Sequence, residues 1–233
     1  MKTAADLRDE LEASLRKLRR DVIDVYHLHR VRPSDYAYCR EELVPELLAL
    51  RDEGKIRFNA ISESTGSDPG HATLQRSLDN DFWDVVMIGF NLFNQSPRKI
   101  IFPATTAKNI GVEVMASARS YFSRDDVLVE KLERMIVAGA LDRDLDPVKT
   151  VEFLREAGSG KLSRISYRFA ADEPGVHTVL VGTGNLAHLQ ENVDALSCGT
   201  LPPETRQQII ELFGHLSLAV EAPSRAPTSH FPV

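Results

Sequence analysis

The run Asp24-Val25-Tyr26-His27-Leu28-His29 is apolar, typical of a strand, and ends in a histidine. It lies in a buried strand that we predict at residues 21–29. A helix at residues 4–19 should precede this strand, because its leucines recur at helical spacing with charges between them. Barrels of alternating strands and helices carry their chemistry at strand ends, so His29 is a candidate for an active site.

Four further apolar runs follow this strand, at residues 56–62, 84–90, 112–117 and 177–182. Between the first two strands, leucines at helical spacing form an apolar face that ends at Gly54. Short apolar runs without clean alternation indicate parallel strands covered on both faces. Five strands that alternate with helices therefore predict an α/β barrel or a wound sheet.

Two segments depart from this alternation. Residues 118–160 are too long for a simple connection, so we expect an elaborated loop over the active face, with one helix at 126–139. Residues 222–233 contain three prolines and should form a loosely ordered tail. The sequence therefore predicts one domain at residues 1–221, followed by that tail.

Composition limits the class of protein. The 233 residues are 42% hydrophobic and 27% charged, as in an ordinary soluble globular domain. The net charge of -6 comes without a basic stripe, which argues against a nucleic-acid partner. Cys39 and Cys198 lie far apart and no charged-then-apolar leader opens the chain, so we expect a reducing cytoplasm. No apolar run approaches the ~20 residues that a membrane helix needs.

The order of motifs around His29 resembles the aldo-keto reductases. Ser14-Leu15-Arg16-Lys17-Leu18 precedes the first strand, Gly54-Lys55-Ile56-Arg57 opens the next, and that strand ends near Ser62. Val114-Met115-Ala116-Ser117-Ala118-Arg119 is similar to a bacterial branch of the family related to sugar or aldose dehydrogenases. The resemblance implies a (β/α)8 TIM-barrel fold and NAD(P)-linked hydride transfer with a small-molecule aldehyde, ketone or sugar.

About five of the eight strand–helix units of such a barrel are expected in this chain. In the family the first three units carry the catalytic tyrosine, lysine and aspartate, and the resemblance begins after them. It therefore implies an N-terminally truncated reductase whose catalytic set is incomplete. An incomplete barrel has two open edges, which a homo-oligomer could cover. The alternatives are a fragment of a longer reductase and a non-catalytic nucleotide-binding or subunit protein.

The resemblance assigns roles to particular residues. His29 corresponds to the histidine that orients the substrate carbonyl, and the remaining matches concern a nicotinamide cofactor, NADP or NAD. Independently of the resemblance, a glycine-flanked turn between a strand and a helix suits phosphate binding, because small residues and free helix amides allow anions to approach. The cofactor-binding candidates are Ser62, Arg119, Gly182, Thr183, Gly184, Asn185, His188, Glu191 and Asn192.

Several positions depart from the family pattern. Glu63 stands where an asparagine usually helps Ser62 to hold the nicotinamide carboxamide, and a carboxylate cannot donate as an amide does. Met87 replaces a carboxamide-binding glutamine, and Ala116 lies near the expected ring-stacking tyrosine. His188 stands where an arginine is common, so the choice between NAD and NADP stays open.

A metal site is the main chemical alternative. His27 and His29 share a strand face and could form a metal pair, as on the first strand of amidohydrolase barrels. Such a barrel also needs a carboxylate after its last strand, and here that strand runs into Gly182-Thr183-Gly184-Asn185. His29 could otherwise bond to loop backbone.

The cofactor candidates also have structural interpretations. Arg119 could pair with Asp125 or Asp126 instead of with phosphate. Glu191 and Asn192 could be solvated residues on the outside of a helix.

Overall fold

The computed structural model describes residues 2–218, so the tail expected at 222–233 lies outside the described residues. The centre of the fold is a parallel sheet of five strands, ordered as they occur along the chain. The strands are β1 (Ile23–Val31), β2 (Ile56–Glu63), β3 (Val85–Gly89), β4 (Gly111–Met115) and β5 (Thr178–Val179). Within the described residues the fold is α/β and the sheet does not close into a barrel.

Helices lie between the strands and follow the last one. The first part of the chain contains α1 (Ala4–Leu18), α2 (Tyr36–Tyr38), α3 (Val44–Asp52), α4 (Ala72–Ser77) and α5 (Ile101–Ala107), with a π-helical turn at Cys39–Leu43. The second part contains α6 (Asp125–Val137), α7 (Pro147–Ala157), α8 (Leu162–Ala171), α9 (Leu186–Leu196) and α10 (Pro203–Phe213). In residues 2–218, none of these helices is both long enough and apolar enough to cross a bilayer.

α1 confirms the helix predicted at residues 4–19. Its start is fixed by a capping box, in which Thr3 Oγ1 accepts the Asp6 N–H and the Asp6 carboxylate accepts the Thr3 N–H. Four leucines predicted the helix, of which Leu7, Leu11 and Leu15 are buried in the core, whereas Leu18 is 61% exposed at the end of the helix. The hydrophobic spacing therefore identified the packed face as well as the helix.

The five predicted strands are present, with shifted ends. β1 continues to Val31, past the predicted end at residue 29, through a register shift that follows Leu28 and includes Arg30 at a φ of 56°. β5 contains only Thr178 and Val179, whereas the apolar run predicted a strand at 177–182. It is short because only two residue pairs join it to β4.

The sheet is strongly curved. His27 on β1 and Glu113 on β4 approach each other to 3.1 Å between Nε2 and Oε2. In a flat sheet three interstrand steps would separate these strands by ~14 Å, which is more than the two side chains can span. The curvature is that of part of a barrel, with His27 and Glu113 on the concave face.

The two faces of the sheet have different surroundings. The convex face packs against helices and buries aliphatic side chains from four strands: Leu28, Ile61, Val86, Ile88, Val112 and Val114. The concave face is open, since Phe58 on β2 and Leu180 next to β5 are 48% and 39% exposed. Register places Phe58 on that face, because it pairs with Val25, two residues before His27.

Residues 118–160 are mostly helical, so the expectation of an elaborated loop was wrong for most of this interval. α6 contains the helix predicted at 126–139, whereas α7 was not predicted. Asp146 caps α7 by accepting the N–H groups of Val148 and Lys149, and Pro147 occupies the first turn. Both helices contribute to the core with the buried residues Leu128, Leu132, Val151 and Leu154.

Candidate functional site

A cleft of about 350 Å³ opens between the segment that follows β4, the start of α8 and the start of α9. The first turn of α8 and the residues before it form one wall, with Gly160, Lys161, Leu162 and Ser163. Six of the nine cofactor candidates also line the cleft: Arg119, Gly182, Thr183, His188, Glu191 and Asn192. Residues that are distant in sequence therefore meet at the carboxyl edge of β4 and β5.

Arg119 lies on the wall of the cleft formed by the segment that follows β4. It is half-buried, and it forms no ion pair with a carboxylate of the described residues. The alternative pairing with Asp125 or Asp126 is not formed, because Arg155 lies 3.6 Å from Asp125 and Arg124 bonds to Asp126. A guanidinium in this position has its planar set of donors available for an anionic ligand.

Asn192 and Glu191 lie on the α9 side of the cleft. Asn192 is only 7% exposed, yet its side chain makes no hydrogen bond within residues 2–218. Neither polar atom of this amide is among the fully buried atoms that lack a partner in the described residues, so both remain accessible to a ligand with hydrogen-bonding edges. Glu191 is partly exposed and pairs with Lys161, whose Nζ lies 3.0 Å from Oε1. Neither residue is simply solvated on the outside of the helix.

The turn between β5 and α9 leaves unfilled space. A Cβ added at Gly182 or Gly184 would meet no heavy atom within 4 Å, and neither glycine has a left-handed φ. The protein itself therefore does not require glycine at these positions, and the space remains open to a ligand. Asn185 has a structural task, since its side chain accepts the N–H groups of Ala187 and His188 and so caps α9.

Ser62 lies apart from the cleft, at the end of β2. Its hydroxyl oxygen accepts the Arg30 N–H at 2.7 Å, and the residue is 1% exposed. This bond satisfies an amide that the irregularity in β1 removes from the strand ladder. The structure thus gives Ser62 a contact within the sheet and does not bring it to the cleft that holds most other candidates.

His29 lies near the end of β1, at a second and larger opening. This cavity of about 780 Å³ is lined by β1, by the segment that follows it, by Ser64 and by the start of the chain with α1, and it shares no lining residue with the first cleft. His29 is exposed and makes no hydrogen bond among the described residues, so the alternative bond to loop backbone is not formed. In the described part of the chain β1 pairs only with β2, so the cavity lies at an edge of the sheet.

His27 precedes His29 by two residues on the concave face. Burial lowers the pKa of His27, although the nearby Glu113 carboxylate opposes this effect. His27 Nε2 comes close to the Glu113 carboxylate but has no hydrogen-bond partner in the described structure. In residues 2–218, no three His, Cys, Asp or Glu side chains gather as a metal site would require.

Glu63 forms a buried network that sequence reasoning missed. The carboxylate is 0% exposed, lies 2.8 Å from His71 Nδ1 and accepts the Gly89 N–H at 2.9 Å. On the other side of the imidazole ring, Nε2 lies 2.9 Å from Ser96 Oγ. Ser96 donates its hydroxyl proton to Asn94 Oδ1 at 2.6 Å. Its oxygen is therefore left to accept from Nε2–H, so both ring nitrogens of His71 donate.

The pKa directions fit an ion pair in this network. Burial alone would lower the pKa of His71, but the hydrogen bond to Glu63 and the charge of that carboxylate raise it. Burial raises the pKa of Glu63, and His71 opposes this rise. A sequence signal existed, because a glutamate that ends an apolar strand needs a partner if it is buried. The Glu63 carboxylate is thus paired with His71 and is not directed at the cofactor candidates.

A model described as the aldo/keto reductase family matches residues 1–212. The chain belongs to the aldo/keto reductase family. An uncharacterized oxidoreductase of Bacillus subtilis strain 168, YqkF, is 23% identical over 213 residues, which cover 91% of this chain and 66% of that protein. The membership confirms the resemblance inferred from the motifs.

Solved reductase structures share the fold. The holo form of aldo-keto reductase AKR11C1 from Bacillus halodurans has a TM-score of 0.65 and 22% identity, over 91% of this chain and 68% of that chain. Glycerol dehydrogenase AKR11B4 from Gluconobacter oxydans has a TM-score of 0.64 and 18% identity, over 99% of this chain and 68% of that chain. This reductase chain thus spans about two thirds of the length of these relatives, and its sheet corresponds to part of their fold.

Proposed function

We propose that this chain binds a nicotinamide dinucleotide, NADP or NAD, in the cleft between α8 and α9. The observation that supports this best is the meeting of six expected residues in one cleft, together with a guanidinium that forms no ion pair within residues 2–218. Arg119 would hold the pyrophosphate through forked hydrogen bonds. Asn192 would meet the hydrogen-bonding edge of the adenine, and the open space at Gly182 would admit the phosphate backbone.

We propose NAD(P)-linked oxidoreduction of an aldehyde, ketone or sugar as the reaction. The nicotinamide, when bound, supplies or accepts the hydride. His29 would donate a hydrogen bond from its imidazole ring to the substrate carbonyl, and thereby orient it. Its position at a strand end and its lack of a hydrogen-bond partner in the described residues support that role. The set that the family uses for proton transfer would have to come from polypeptide adjacent to β1.

We propose that a second copy of this chain covers the free edge of β1, although an identical copy cannot supply that proton-transfer set. β1 has one hydrogen-bonded neighbour in the described structure, so its other edge offers unpaired N–H and C=O groups. The concave face also leaves Phe58 and Leu180 partly exposed, and burying them would favour association.

Cys39 and Cys198 are both free thiols, which supports the expectation of a reducing cytoplasm.

The first experiment is a titration of the full chain with NADPH and NADH, followed by nicotinamide fluorescence, with the oligomeric state measured in parallel. We expect Arg119→Met to weaken the binding of both nucleotides by at least about tenfold, because it removes a charge-assisted contact. Arg124→Met is the matched control, since Arg124 is exposed and bonded to Asp126. Equal affinities in the wild type and both variants would refute the assignment of the cleft.

Turnover on a panel of carbonyl compounds then separates the two functional alternatives. Binding with turnover supports the oxidoreductase, and loss of that turnover in His29→Gln with retained binding supports the role of His29. Binding without turnover supports a non-catalytic nucleotide-binding protein. A folded chain that binds neither nucleotide contradicts both.

A further inference from the structure

Lys161 occupies a particular place in the cleft between α8 and α9. It is the residue before α8, it lines the cleft, and it follows Gly160, which has a φ of 90°. Its ammonium reaches across to Glu191 in the middle of α9, at 3.0 Å. This ion pair joins the two walls of the cleft near its opening, since the two side chains are 58% and 42% exposed.

The charges around this pair are uneven. Of the carboxylates that line the cleft, Asp125 faces Arg155 and Glu191 faces Lys161, whereas Arg119 has no carboxylate partner in the described residues. Arg119 is thus available for a pyrophosphate. Lys161 becomes available as a second cation if it exchanges Glu191 for another anion. An exposed ion pair is weak, so a phosphate dianion can displace the carboxylate.

NADP differs from NAD by a phosphate on the ribose 2′ oxygen. A carboxylate at the ribose suits the 2′-hydroxyl of NAD and repels the 2′-phosphate of NADP, whereas a cation does the opposite. The cleft holds both a carboxylate and a cation, Glu191 and Lys161, and the two are in contact. Which group faces the ribose therefore decides the preference, and a flexible exposed lysine can follow the phosphate.

We propose that Lys161 is the residue that selects NADP(H), by leaving Glu191 and binding the 2′-phosphate. This proposal rests on the nucleotide cleft proposed above and deepens it. Thr183 and the first turn of α8 line the same opening and supply further polar groups around the phosphate. Lys161 comes from a segment that carries none of the family's recognised cofactor motifs in this sequence.

The test compares two probes that differ only in phosphate position, adenosine 2′,5′-bisphosphate and adenosine 5′-diphosphate, together with NADPH and NADH. We expect Lys161→Met to weaken adenosine 2′,5′-bisphosphate and NADPH by at least about tenfold, and the other two ligands by less than about twofold. Glu191→Gln should strengthen the binding of NADPH, because a competing carboxylate is removed. Lys149→Met is the control, since Lys149 is 81% exposed on α7 and lies outside the cleft.

The failures of the two proposals are distinguishable. Equal weakening of all four ligands by Lys161→Met, or no weakening, overturns the selection by Lys161 and leaves the cleft in place. A wild-type chain that binds NADH more tightly than NADPH also overturns it. A folded wild-type chain that binds none of the four ligands overturns the cleft and with it the role of Lys161.

Discussion

Removing His71 tests whether the buried Glu63 carboxylate depends on an imidazolium. In His71→Asn the side chain is too short to pair with Glu63, and asparagine tolerates the φ of 59° at this position. Glu63 is 0% exposed, so it cannot recover solvation when its partner is lost. It will take up a proton instead of standing as an isolated anion.

The cost of this protonation sets the size of the loss in unfolding free energy. Protonating a carboxyl with a reference pKa of 4.5 at pH 7 costs ~3.4 kcal/mol, at 1.36 kcal/mol for each pH unit, and ~0.7 kcal/mol at pH 5. Breaking a buried ion pair by removing one partner costs about 3–5 kcal/mol in general, so protonation limits the loss to the lower end at pH 7. We therefore expect His71→Asn to lose ~3 kcal/mol of unfolding free energy at pH 7 and much less at pH 5.

The direction with pH follows from both pKa shifts. Burial already raises the pKa of Glu63 in the wild type, and the variant removes His71, which opposes that rise, so the pKa should rise further. A raised carboxyl pKa gives stability that is full below 4.5 and is lost as the pH rises. The raised pKa of His71 in the wild type gives stability that is full below 6.5 and is lost only as the pH rises through the folded-state pKa. Between pH 5 and 6.5 the variant therefore loses stability that the wild type keeps, because His71 restrains the rise in the pKa of Glu63.

The assay is urea unfolding at pH 5, 6, 7 and 8, followed by circular dichroism. The control is the double variant Glu63→Gln with His71→Asn, which has no carboxyl at position 63 and should lack the added pH dependence of the single variant. A difference between the wild type and His71→Asn that stays constant from pH 5 to 8 would refute the reasoning. So would a double variant that shows the same pH dependence as His71→Asn.

Two further predictions concern packing and capping. Phe93→Ala should reduce the unfolding free energy by about 3–5 kcal/mol, because this 1% exposed ring stacks on Tyr121 and Phe122 and meets the edge of Phe213; Phe93→Leu should lose clearly less in the same urea titration. Asn185→Ala should lose about 1 kcal/mol by removing the cap of α9. Asn185→Asp should keep most of this stability, and equal losses in both Asn185 variants would show that the cap contributes nothing.

The sequence predicted the elements whose pattern is local. α1 was predictable because Leu7, Leu11 and Leu15 recur at the helical period and are the residues that it buries. Strand ends were less predictable, since they depend on pairing. β1 gains two residues through a left-handed Arg30, and β5 loses most of its apolar run for lack of paired positions on β4, neither of which hydrophobicity records.

The candidate site also divides into residues that a local sequence pattern predicted and residues that depend on tertiary packing. The cofactor candidates between residues 182 and 192 are close in sequence, so one motif identified them together, and Arg119 joined them through the parallel order of β4 and β5. Lys161 was not predicted, because nothing in its own segment shows that the start of α8 would face α9. The partnership of Glu63 and His71 was missed for a similar reason, since burial of the pair depends on the packing of a loop against two strand ends.

The sequential order of the strands bears on how this chain can fold during synthesis. Each strand pairs with the one made immediately before it, so β2, β3 and β4 can each add to an edge that has already left the ribosome. Among the strands of the described residues only β5 must wait, since α6, α7 and α8 are translated before it can reach β4. Folding in the order of synthesis keeps most strand pairings between neighbours in the sequence. Apart from the free edge of β1, it exposes one unpaired strand edge at a time.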